Sequence, residues 1–498
     1  MHELRVCAIA TAALLSIGCK AGESRAESSA AATATPVFAV STKSEEARKH
    51  LVEGEHLVDE GRYLKAYEQF KRSVAADSAF AFGYLRTAQW SQSFGEYKAN
   101  LERAYAYEAS ANPTEHLLIE IERKSFDRDV QGAIELSRQL VQKEPSNPRA
   151  WWVLAGNQQQ AGQTAESRAS YRKALDVAPG YGLASLFLGR SYAFNEPRDF
   201  ASGEKYIEQG VKLWPEVPVS YLNLGDLRRN QGRLDEALTA YTRQIELDPQ
   251  DSEAHAKRGN ANIFLGNFAE ARSDYDVAIR LGKGNEPAYQ ATTRAWISTY
   301  AGHPDSSLLE LEQVIPAIDG MGVPEPDGIK LGAMSTLLII AEYNHRFDVA
   351  DRWIGPRNAL YLKFLEKNGT PDVVRQAKAD NAFEEGRLAA FKGQFSLARQ
   401  KAAEFMKLVE PDRNPTKNRN AHLLLGLTAL FEKKYAEAIT ELEQADPDDP
   451  YPWYFRALAL EGAGRAAESK ALFKKVAAFG FNQPGFAAVR VDAIARAK

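Results

Sequence analysis

The chain has 498 residues, too many for one compact core, so several domains or an elongated array must share the burial. Its 44% apolar and 26% charged residues are the proportions of an ordinary folded protein. A net charge of -4, from 62 basic against 66 acidic side chains, lacks the basic footprint of a nucleic-acid binder, and Cys7 and Cys19, the only cysteines, leave the body without disulfide or thiol chemistry.

Residues 1–18 begin with His2, Glu3 and Arg5 and continue in the apolar run VCAIATAALLSIG. That run suits the core of a signal peptide and is shorter than the roughly 20 residues that a membrane span needs. It ends in Leu15-Ser16-Ile17-Gly18-Cys19, which resembles the lipobox of bacterial lipoproteins, with Ser16 where leucine is commoner. The resemblance implies cleavage after Gly18 and lipid attachment at Cys19. Lys20, where retention in the inner membrane would call for Asp, implies the periplasmic side of the outer membrane. Residues 19–46 are rich in Ala, Ser, Thr and Glu without a helical stripe, which predicts a flexible tether, with an Ala-rich helix as the alternative. At about 5–6 Å times the square root of its length, it would hold the body roughly 25–30 Å from the lipid.

From residue 47 a repeat sets in. Starts at 47, 81, 114, 148, 182, 218, 252 and 288 are separated by 34, 33, 34, 34, 36, 34 and 36 residues, by subtraction. Position 15 of the repeat carries Gly61, Gly95, Gly162, Gly232, Gly266 and Gly302, where glycine can take the left-handed conformation that ends a helix. Position 8 carries Gly54, Ala88, Ala155, Gly189, Gly225, Gly259 and Ala295, and position 24 carries Phe70, Tyr171, Tyr241 and Tyr275. Small residues on one helix and rings on the next predict closely packed antiparallel hairpins. Pro145, Pro179, Pro215 and Pro249 stop the second helices.

This pattern resembles the tetratricopeptide repeat, seen most fully in VSYLNLGDLRRNQGRLDEALTAYTRQIELDP over 219–249. The resemblance implies an all-α fold, an α-solenoid of about twelve helical hairpins. The regular array spans 47–316, a Gly/Pro-rich break 317–330, and a less regular array 331–477, with hairpins from about 331, 379, 419 and 450. Gly355-Pro356 is expected to cut a helix, and 478–498, with Phe486, Val489, Ala493 and Ile494 at helical spacing, to cap the open end.

No catalytic, cofactor or metal motif stands out. The histidines form no HExxH pair, no GxSxG, phosphate loop or GxGxxG occurs, and the aspartates of Asp446-Pro-Asp-Asp449 lack the glycine and alternation of a calcium loop. In the repeat family the concave wall is lined by first-helix positions 2, 5, 9, 12 and 13. Carried over, these are Trp152, Gln159 and Gln160, Arg190 and Phe194, Asp226, Arg229 and Asn230, Asn260 and Phe264, and Trp296 and Tyr300. Rings interleaved with Arg, Asn and Gln suit an extended peptide, although Trp152, Phe264 and Trp296 fit packing between hairpins equally well. The chain thus reads as a non-enzymatic, lipid-anchored scaffold of the bacterial cell envelope that binds a protein or peptide and no nucleic acid. The alternatives are a receptor for a small molecule or oligosaccharide in the same groove, and an enzyme with a polar pocket in 317–418.

Overall fold

The computed structural model describes residues 35–498 apart from 60, 61 and 92. The signal peptide, Cys19 and the tether as far as residue 34 lie outside the described residues, as does Gly61. Among the described residues there is no strand, and no helix is long and apolar enough to cross a membrane.

Among the described residues twelve helical hairpins follow one another, from Glu45–Asp59 with Tyr63–Ala76 to Pro450–Gly462 with Ala466–Ala477, and the helix Pro484–Ala497 comes after them. Nine of the first helices are followed by a left-handed residue, whereas Gly182–Phe194 leaves through Asn195 at φ -104°. Gly162, Gly232, Gly266, Gly302, Gly393 and Gly464 have φ between 72° and 83°. Where the repeat lacks that glycine, Arg128 (φ 58°), His345 (φ 55°) and Lys433 (φ 63°) take the same conformation. Where the hairpin turns in this way, glycine is the least strained solution.

Small residues at position 8 admit the facing side chain. A Cβ on Gly225 would lie 2.4 Å from the Tyr241 ring, one on Gly54 2.4 Å from Phe70, and one on Gly189 2.6 Å from Ile207. Tyr241 is fully buried and donates its hydroxyl to Asp226 at 2.6 Å, so it cannot move aside.

Several expectations need correction. Gly95 is not a turn residue. The helix Ala81–Gln89 stops early, and Gly95 lies in the first turn of Phe94–Ala106. The Gly/Pro-rich break is shorter than 317–330, because Pro304–Ala317 runs through Pro316 and the next helix starts at Pro326. The hairpin expected near 379 starts at Pro371. Gly355-Pro356 does not cut its helix, and Phe347–Asn368 is continuous. Proline leaves the carbonyl four residues back without a partner, but Arg352, Gly355 and Pro356 are all exposed, so water can serve it.

The array also closes on itself. Turns within early hairpins meet loops between late ones. Glu325 accepts from the backbone N–H groups of Phe94 (2.6 Å) and Gly95 (3.3 Å). Arg413 bonds Asp129 at 3.2 Å and Glu135 at 3.1 Å. Asp448 accepts from the Asn195 amide at 3.1 Å and the Glu196 N–H at 2.6 Å, so the two extra residues of that repeat reach a loop some 250 positions away. Asp449, its neighbour, caps the helix Pro450–Gly462.

Gly225→Ala is expected to destabilise the chain by about 1–3 kcal/mol, because the overlap with Tyr241 can be relieved only by moving a helix. Gly156→Ala, also helical but with nothing within 4 Å of the new Cβ, should be neutral or stabilising. Urea midpoints of the two variants check this.

Candidate functional site

The first helices place polar and aromatic side chains in rows, and the chain's own two ends lie across them. At the C-terminal end, the turn 478–483 and the helix Pro484–Ala497 run past the first-helix ends of the hairpins that start at Gly182, Pro218, Ser252 and Glu286. Phe481 meets Phe194 edge to face, with ring centres 4.8 Å apart. The Gly480 N–H donates to Asn230 Oδ1 at 3.3 Å, and a Cβ on Gly480 would lie 2.6 Å from the Asn230 backbone. Asn482 donates to Asn260 at 2.7 Å and accepts from the Tyr300 hydroxyl at 2.8 Å. Arg490 donates to the Phe264 carbonyl at 3.3 Å, and Phe264 packs on Phe486. Arg229, 2% exposed, reaches Asp226 at 3.0 Å and lies over the rings of Phe481 and Phe264. Burial alone would raise the Asp226 carboxyl. Lys257, Arg229 and Arg190 outweigh it and hold the group well below the usual carboxylate range.

Six of the residues carried over from the sequence, Phe194, Arg229, Asn230, Asn260, Phe264 and Tyr300, are thus brought together, and residues 479–490 of the same chain occupy them. The last helix does more than cap an open end. Phe486, Val489 and Ala493 are fully buried between the final hairpin and the helices Ile297–Tyr300 and Pro326–Tyr343. Arg190 turns toward Asn223 (3.0 Å) and Asp226. Trp296 packs in the core beside Leu308 and Leu337, and Gln159 stands exposed.

The N-terminal end is arranged similarly. Residues 35–44 were expected to belong to the tether, but they form an extended strap docked on the first hairpins. The Pro36 carbonyl accepts from Arg149 Nε (3.1 Å), that of Ala39 from Asn112 Nδ2 (2.8 Å), and those of Val40 and Thr42 from Arg48 (3.2 and 2.6 Å). The Ser41 N–H donates to Glu115 at 2.9 Å, and the Thr42 hydroxyl to Asp77 at 2.5 Å. Phe38, 2% exposed, sits beside Val58, Trp90, Trp152 and Tyr181, next to a cavity of about 30 Å³. Long polar side chains tie the strap down, and the local composition gives no sign of it.

Under Phe38 lies a charged cluster that the sequence reading missed. Arg149 bridges Glu55 (3.1 Å) and Asp59 (2.6 Å), and Arg86 pairs with Glu55 at 2.5 Å. Arg149, Glu55 and Asp59 occupy positions 2, 9 and 13 of their repeats, so extending the inner-wall rule to the first unit would have found them. Burial pushes Asp59 up to about 7, against the pull of Arg149. A second cluster lies within 317–418, where an enzyme would have needed its pocket. Arg387 bonds Glu342 at 2.6 Å and Glu384 at 2.5 Å, and burial raises Glu342 in the same sense. These groups are 4% exposed or less and are paired with one another, an arrangement that ties three helix turns together.

The tetratricopeptide repeat family matches residues 196–252 and 222–286, and a second repeat model of the same description matches 148–181. The chain is similar to Protein FlbA of Caulobacter vibrioides, 24% identical over 256 residues, which cover 51% of this chain and 41% of that protein. It is also similar to Hsc70-interacting protein 1 of Drosophila melanogaster, 33% identical over 92 residues, 18% of this chain and 22% of that one. The mitochondrial import receptor subunit TOM70 of Saccharomyces cerevisiae is 29% identical over 146 residues, 29% of this chain and 22% of the receptor. The chain spans less than half the length of each of these relatives. A crystal structure of a tetratricopeptide repeat protein from Parabacteroides merdae is 15% identical, covering 58% of this chain and 99% of that one at a TM-score of 0.35.

Because the native state holds the Asp59 proton more tightly than the unfolded chain does, its contribution is full below the ordinary carboxylate range and lost as pH rises through about 7. Thermal stability is therefore expected to fall between about pH 4 and pH 7, and Asp59→Asn, which keeps an acceptor for Arg149, should flatten that fall. Melting curves of parent and variant across the range test it.

Proposed function

We propose that this chain of tetratricopeptide repeats is a non-enzymatic scaffold that binds proteins through extended peptide segments, and that it is held at the bacterial cell envelope by a lipid on Cys19. One observation carries the reading. The inner wall holds the backbone of residues 36–42 by side-chain hydrogen bonds from separate helices and seats one aromatic ring. That is the division of labour in peptide recognition, where main-chain bonds supply affinity and a pocket supplies selectivity. The stacked helices are ordered before any ligand arrives, so binding need not order the scaffold. Several relatives have names that involve a protein client, as in the Hsc70-interacting protein and the import receptor.

Two experiments follow. A photo-crosslinking amino acid at the exposed inner-row position Gln159, introduced in the native envelope, should give discrete protein adducts. The same group at Leu309, 58% exposed on a second helix, should give few. Adducts only at 309, or saturable thermal stabilisation by a pure glycan, would overturn the scaffold reading. For the anchor, Cys19→Ser should move the protein from the membrane fraction to the soluble one, and unchanged partition would refute the lipid.

A further inference from the structure

We propose that the seat of residues 35–43 is a recognition site for an extended partner peptide of the pattern aromatic-x-aliphatic-x-Ser/Thr, and that the strap is its intramolecular occupant. The proposal rests on the peptide-binding reading and names the ligand of that wall.

Three observations carry it. First, the strap buries Phe38 and Thr42, four residues apart and so on one side of an extended chain, while Ala39 and Lys43 are exposed and Val40 and Ser41 half-buried. Second, five main-chain groups of the strap, the carbonyls of Pro36, Ala39, Val40 and Thr42 and the N–H of Ser41, are bonded by side chains of Arg149, Asn112, Arg48 and Glu115. Those bonds read backbone and would serve any chain laid in the same register. Selectivity is left to the ring seat between Trp90, Trp152 and Tyr181 and to Asp77, which takes the hydroxyl. Third, residues 35–43 lie ahead of the first hairpin, and Ser44, whose hydroxyl takes the Ala47 N–H and whose carbonyl takes the Arg48 N–H, stays with the helix when they leave. Their departure opens a site already lined with donors and rings.

The occupant is favoured because it is tethered. Attachment at residue 45 gives it an effective concentration on the order of millimolar. A partner peptide therefore has to match the pattern closely or arrive as part of a larger contact, so the strap sets a threshold for capture.

The test uses the full-length protein and a fluorescent peptide with the sequence of residues 35–43, TPVFAVSTK. Phe38→Ala empties the ring seat. The labelled peptide should bind this variant at least ten-fold more tightly than the parent, and a peptide with alanine for the phenylalanine should lose that binding. A variant that folds, as judged by circular dichroism, and binds the peptide no better than the parent overturns the proposal. Should Phe38→Ala not fold, the parent serves. Millimolar peptide must then accelerate hydrogen exchange at the Ser41 amide, whose N–H is bonded to Glu115, and unchanged exchange overturns the proposal equally. Partner adducts at residue 159 without any peptide binding at this seat would defeat the present proposal while leaving the scaffold reading standing.

Discussion

The close approach of the two helices in each hairpin is the constraint on which everything else depends. At Gly54, Gly189, Gly225 and Gly426 the space that a Cβ would fill belongs to Phe70, Ile207, Tyr241 or Leu442 of the opposite helix. That contact sets the distance between helices, and the distance sets which residues can face the next hairpin. Since a single hairpin cannot cover its own apolar face, the buried rings stabilise the chain only when neighbours stack in register. The left-handed residue between the helices serves the same end. Arg128, His345 and Lys433 accept a conformation unfavourable to side chains so that the second helix returns at the right place.

Stacking in register has an electrostatic consequence. Residues at equivalent repeat positions fall in rows, so charges from distant parts of the sequence converge. Arg149 reaches Glu55 across 94 positions, and Lys257 reaches Asp226 across 31. These groups are nearly dry, and each tolerates burial only because its partner is held at hydrogen-bond distance by the scaffold. The same rows offer side-chain donors and acceptors at intervals that suit an extended backbone. A surface built to satisfy its own buried charges is thereby also able to hold a peptide.

The hairpins were legible in the sequence because their determinants are local and periodic. Gly232 at the turn, Gly225 and Tyr241 across it and Pro249 at the end lie within one repeat. Gly95 misled because the phase alone does not reveal that its first helix stops at Gln89. Gly355-Pro356 misled because a proline rule carries no information about solvent, and the carbonyl that it frees belongs to the exposed residue Arg352. The family's inner-row positions include Phe194, Arg229, Asn230, Asn260, Phe264 and Tyr300, which the structure brings together against residues 479–490 of the same chain. What they could not identify was that residues 479–490 would supply that segment, since those contacts join positions as far apart as Asn230 and Gly480 or Phe194 and Phe481. The strap was illegible for a related reason. Thr35 to Thr42 looks like low-complexity linker, and the side chains that hold it, Asn112, Glu115 and Arg149, lie far downstream.

Closure of the array has a consequence for biosynthesis. Tyr300 leaves the ribosome 182 residues before its partner Asn482. At typical elongation rates the completed wall then stands uncovered for roughly ten to forty seconds. During that interval its rings lack their cover, and the final stretch to emerge is the one that shields them. A premature stop late in the message would spare nearly every hairpin and still release a molecule with this face bare.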